Sequence, residues 1–129
     1  MPLVVDTFKA GTIDATQSIT INGESVGLKY KVYTALLTQS GMDAPIATVL
    51  ENTIGEIVWR RVNEGQYECE LTDAFIEDKT GILTTATFDG YVEAYWNNVN
   101  TCQVITFNTS GVYTDGYLYK QLIEIRVYN

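Results

Sequence analysis

Few residues in this chain are equipped for chemistry, and their types narrow what it could do. There is no histidine, which removes Ser-His-Asp and Cys-His nucleophile sites and the commonest transition-metal ligand. Neither a P-loop nor a GxGxxG turn after a strand is present. Glu68 and Glu70 stand two apart on one strand face, with Cα atoms about 6.5 Å apart from the strand rise. Glycosidase carboxylates work at comparable separations. Any i, i+2 acidic pair meets that distance, however, and these two alternate against Tyr67, Cys69 and Leu71, so they read as solvent-face residues. Asp73, Glu77 and Asp78 form a second acidic group. Their spacing is not that of an EF-hand loop, and a solvated acidic loop is the plainer reading. No catalytic, metal or cofactor residue is assigned, and no enzymatic activity is expected.

Aromatic residues are the more informative surplus. Tyr91 and Tyr95 share a strand face with Glu93, while Val92, Ala94 and Trp96 form the apolar face. Tyr113, Tyr117 and Tyr119 crowd a loop and its extension. Tyrosine rings combine a large apolar area with a polar tip. Tyr91, Tyr95, Trp96, Tyr113, Tyr117 and Tyr119 are therefore the candidate platform. Three roles remain open for them: core rim and cross-strand pairs, an intersubunit interface, or a surface on which sugars stack.

The elements that must position these residues are strands. The chain of 129 residues is one domain's worth, with 46% hydrophobic and 19% charged residues, ordinary for a globular protein. Nine Tyr, ten Gly and two Pro, with many Val and Thr, favour all-β structure. The central stretch Leu28 to Val62 holds three apolar runs, Leu28–Gln39, Ile46–Glu51 and Glu56–Val62. Turn compositions separate them, so neighbouring runs are expected to pair antiparallel. Alternation in the second run suggests burial on both faces. Asn63-Glu64-Gly65 closes the clearest hairpin, with Trp59, Tyr67, Cys69 and Leu71 on its buried face.

Upstream, Asn22-Gly23 is a hairpin signal, with the return run expected by Val26 to Leu28. Downstream, Thr72 to Gly81 is a polar connection and Ile82 to Phe88 a Thr-rich strand. Tyr91–Asn97 is expected to pair with Cys102–Asn108. Gln121, Ile123, Ile125 and Val127 alternate along a final strand. The expected fold is an antiparallel β-sandwich, jelly-roll-like or Ig-like, of eight to nine strands over residues 17–129. Residues 1–16 would form an N-terminal arm or edge strand.

A charge of −8 with a pI near 4.3 argues against a nucleic-acid partner, because phosphate backbones repel such a surface. Cys69 and Cys102 show no disulfide-framework or metal spacing and read as two buried free thiols. The start lacks a basic n-region, and no apolar run approaches membrane length. Synthesis in a host cytoplasm without membrane insertion is the expectation.

The phrases YKVYTALLTQSGMDAPIATVLENTIGEIVW at Tyr30–Trp59 and IEIRVYN at Ile123–Asn129 resemble a group of small proteins carried by phages and prophages of Bacteroidetes bacteria. The group is mostly of unassigned function and belongs with virion structural genes. Gln121-Leu122 stands where the group has a Thr-Pro pair. The resemblance implies a virion structural protein, in head decoration, a fibre or a tail. It also implies other virion proteins as partners and homo-oligomeric assembly, with three-fold symmetry as the guess. The alternative is a carbohydrate-binding or receptor-binding module directed at a host surface glycan.

Overall fold

The computed structural model describes residues 29–87 and 89–129, together with the backbone of Thr20–Ile21 and Glu24–Ser25. The expected N-terminal arm, 1–16, lies outside the described residues. Among the described residues ten strands run in order: β1 (Thr20–Ile21), β2 (Glu24–Ser25), β3 (Tyr30–Thr38), β4 (Ile46–Asn52), β5 (Val58–Asn63), β6 (Gln66–Glu70), β7 (Thr80–Thr84), β8 (Tyr91–Asn98), β9 (Thr101–Phe107) and β10 (Gln121–Tyr128). Eight of them make two four-stranded antiparallel sheets, ordered β4-β3-β10-β7 and β5-β6-β9-β8. The sheets pack face to face as a β-sandwich, and no helix occurs among the described residues.

Period-two alternation decides which residues fill the space between the sheets. Tyr33, Ala35 and Leu37 of β3 and Ile123, Ile125 and Val127 of β10 face inward from one sheet. Trp59, Tyr67, Cys69, Cys102 and Val104 face them from the other. The Trp59 indole N–H donates to the Tyr33 hydroxyl across the gap at 3.1 Å. Leu71 is only partly buried, packed against the rim of this core.

Several expectations are corrected. β3 and β4 do pair antiparallel, but β4 and β5 do not, because the chain crosses from one sheet to the other between them. β4 is therefore an edge strand, and Ile46, Val49 and Leu50 are exposed instead of buried on both faces. A register shift opposite Thr34 and Ala35 leaves Leu50 unpaired as a bulge. In the first hairpin Glu24 pairs directly with Ile21 and Ser25 with Thr20, so the return run starts earlier than expected. β7 ends at Thr84, well short of Phe88.

The polar connection after Leu71 is not merely polar. Phe75 within it is fully buried and plugs one end of the core. Its backbone N–H bonds to the Val99 carbonyl, and its carbonyl accepts the Trp96 indole N–H at 2.8 Å. An aromatic alone among acidic residues was the available signal. Leu118, in the loop before β10, plugs the core in the same way.

Candidate binding face

The six aromatics of the candidate platform separate into two groups. Tyr91 and Tyr95 lie on the outward face of β8, both exposed. Tyr113 joins them because its loop folds back on β9. Tyr113 forms a bridge with Phe107, and their rings stack with centroids 4.8 Å apart at 27°. Phe107 is in turn the cross-strand partner of Tyr91. The other three sit elsewhere. Trp96 points inward against the core and spends its N–H on Phe75. The Tyr117 ring packs over the backbone of Gly90, which has φ +75° and no room for a Cβ. Tyr119 stands exposed beside Lys120, whose Nζ is 5.4 Å from the ring centroid.

Alongside the rings runs a polar row that crosses all four strands of this sheet. Register aligns Arg60 of β5, Glu68 of β6, Gln103 of β9 and Tyr95 of β8. Arg60 Nη2 donates to Glu68 Oε1 at 2.5 Å and to Glu70 Oε2 at 3.0 Å. Gln103 Nε2 donates to Glu68 Oε2 at 3.2 Å, and the Tyr95 hydroxyl donates to Gln103 Oε1. Glu68 is consequently buried on the face expected to be wet. The expectation failed because its neighbours on both sides close over it. Burial, then nearby Tyr113, Glu93 and Glu68, push the Tyr95 hydroxyl above its ordinary pKa. Sequence reasoning missed Phe107 and Gln103. Their signal was the outward alternation of β9, legible only once its register with β8 was fixed.

Beside the row lies a cleft of about 400 Å³. Tyr91, Glu93 and Phe107 line it from the sheet, and Thr87, Gly90 and Gly111 from the adjoining turns. Among the described residues no hydrogen bond or ion pair engages the Glu93 carboxylate. It is left as an acceptor at the wall of an aromatic cleft.

A second polar convergence lies where the β3–β4, β5–β6 and β9–β10 connections meet. Asp115 takes a two-pronged ion pair from Arg61, with Nη2 at 2.8 Å, and the Gly65 N–H at 2.9 Å. The Tyr67 hydroxyl is 2.7 Å from Asp115 Oδ1 and 2.8 Å from Gln39 Oε1. Gln39 also receives the Gly116 N–H and donates to the Gly41 and Asp43 carbonyls. Although burial alone would raise the Asp115 carboxyl, Arg61, the Gly65 N–H and Tyr67 together hold it below the usual carboxylate range. Burial and the Asp115 carboxylate raise the Tyr67 hydroxyl. These groups are occupied with one another, and the cluster locks three loops together.

The remaining candidates are more dispersed. Asp73 and Asp78 both hold left-handed backbone, at φ 56° and 62°, and no three metal-ligating side chains converge among the described residues. Cys69 and Cys102 are both buried and free. No described helix is long and apolar enough to cross a membrane. Comparison with protein-family models, with curated proteins and with solved structures finds no match for this chain.

Proposed function

We propose that this chain is a non-enzymatic virion structural protein of a bacteriophage, a head-decoration, fibre or tail component that acts through protein–protein assembly. The sequence resemblance supplies the phage context. The observation that supports assembly is the edge strand β4. It is seven residues long, its outer edge has no strand partner among the described residues, and its only blunting features, Glu51 and the bulge at Leu50, lie towards its C-terminal end. Ile46 is 72% exposed, and Met42 in the preceding turn 77%. Soluble proteins usually blunt such an edge with charge, proline or a covering segment. An antiparallel pairing of two copies centred on Val49 would place Ile46 opposite Asn52, Ala47 opposite Glu51 and Thr48 opposite Leu50. No like charges then oppose each other.

Size exclusion with light scattering tests assembly. The expected result is a multiple of the 14.4 kDa chain mass, reduced towards the monomer by Ile46→Lys or Val49→Lys. A clean monomer at high micromolar concentration overturns the assembly reading, and a dimer discards only the three-fold guess. Mass spectrometry of purified virions tests the location. Copies in stoichiometric number place the chain in the particle, and its absence rejects the virion role.

A further inference from the structure

The geometry points to the outer face of the β5-β6-β9-β8 sheet, at the cleft between Tyr91, Phe107 and Glu93, as a binding site for a neutral oligosaccharide. Several observations converge on that ligand class. Two of the rings are held in place: Phe107 has Tyr113 stacked on it, and Tyr95, next along the strand face from Glu93, is anchored through Gln103. Little side-chain freedom remains to be lost when a ligand arrives. Tyr91 and Tyr95 are four residues apart on one strand, which spaces them about 13 Å apart. That is the reach of a short chain of sugar rings rather than of one ring.

Sugar rings present an apolar C–H face edged by hydroxyls. The cleft offers the complement, with the Tyr91 and Phe107 rings and the free acceptors of Glu93 all in its lining. Its volume of about 400 Å³ falls within the range of small-molecule sites. The local charge decides against anionic glycans. Arg60 is already engaged by Glu68 and Glu70, Glu93 adds a further negative charge, and the whole chain stands at −8. Sialylated or uronate-containing chains would meet like charge here. β8 is the edge strand of this sheet, so a peptide that added to it would be held by main-chain hydrogen bonds and would not depend on the Tyr91 ring, whereas a sugar stacked on this face would.

The test is a printed array that carries neutral hexose and N-acetylhexosamine oligosaccharides beside sialylated and uronate-containing ones, probed with the full chain. The expected result is binding to a subset of neutral spots, weakened about three- to tenfold by Tyr91→Ala, the loss of one stacking ring. Glu93→Gln should weaken binding as well, while Tyr119→Ala, remote from the cleft, leaves it unchanged. Far-UV dichroism and melting temperature confirm that each variant folds. The assignment is overturned if no neutral spot binds, if only acidic spots bind, or if folded Tyr91→Ala binds as well as the parent. Carrying the array through with Ile46→Lys separates this outcome from that of the assembly test.

Discussion

The indole N–H of Trp59 donates to the hydroxyl of Tyr33 at 3.1 Å, and this is a side-chain hydrogen bond that joins the two sheets through the middle of the sandwich. Both residues are buried, so the pair combines apolar filling with a satisfied polar contact. Trp59→Ala should cost about 3–5 kcal/mol, the usual range for emptying a large aromatic site. Tyr33→Phe, which deletes only the hydroxyl, should cost about 1 kcal/mol, with the indole N–H left unpaired. Urea unfolding of the two variants measures both.

The Asp115 cluster predicts a response to acid. The folded-state pKa of Asp115 lies below its unfolded value, so protons bind the unfolded chain more readily. Its contribution to stability is complete above about pH 5 and fades as pH falls through the folded pKa. Asp115→Asn should lower stability at neutral pH and flatten the stability curve between about pH 5 and 3. Chemical denaturation across that window would show it, and a parallel offset of the two curves would contradict it.

Two glycines with similar backbone angles should respond differently to substitution. Gly65 has φ +65°, and a Cβ there would lie 2.6 Å from both the Thr106 carbonyl oxygen and the Thr114 nitrogen. Gly41 has φ +58° with open space around the added carbon. Gly41→Ala should cost about 1 kcal/mol, the strain of left-handed backbone alone. Gly65→Ala should cost several times more, since backbone atoms must move. Thermal unfolding ranks the pair.

Cys69 and Cys102 are direct cross-strand partners on β6 and β9, both buried and free. The neighbouring Cys69 thiol, and then burial, push the Cys102 thiol upward. The Cys102 thiolate, the nucleophilic form, is thus scarce at neutral pH, and the Cys69 sulfur is shielded because its residue is fully buried. Alkylation should therefore be slow in the native protein and rapid, with two thiols modified, in denaturant. Rapid native labelling would mean that the sheet opens locally.

Strand alternation was legible in the sequence wherever one face meets core and the other water. β8 and β10 show it, and so does the Gly65 turn, whose αL geometry a glycine announces. Sheet membership was not legible. Ile46–Asn52 is apolar on both faces, and such a run reads as interior whether or not a partner covers it. Only the crossing between β4 and β5 reveals it as an edge. Of the six platform aromatics, Tyr91 and Tyr95 were separable from Trp96 by alternation alone. The placement of Tyr113, Tyr117 and Tyr119 depends on how a loop folds back, and local residue types do not encode that. Glu68 looked solvated because nothing along its own strand discloses Arg60 and Gln103 beside it.

The position of β10 between β3 and β7 sets how this protein can reach its native state. β3 acquires its second neighbour only when β10 docks, and Thr34 and Glu124, which bond across that junction, lie 90 residues apart in the chain. Until then β3 and β4 form a lone two-stranded ribbon, marginal in water, with Tyr33, Ala35 and Leu37 uncovered. Such long-range pairing is expected to slow folding towards the millisecond-to-second regime, during which unpaired strand edges stay open to other chains. Dilute, cool refolding should therefore recover more native protein than concentrated, warm refolding, because collisions between unfinished ribbons compete with the arrival of β10.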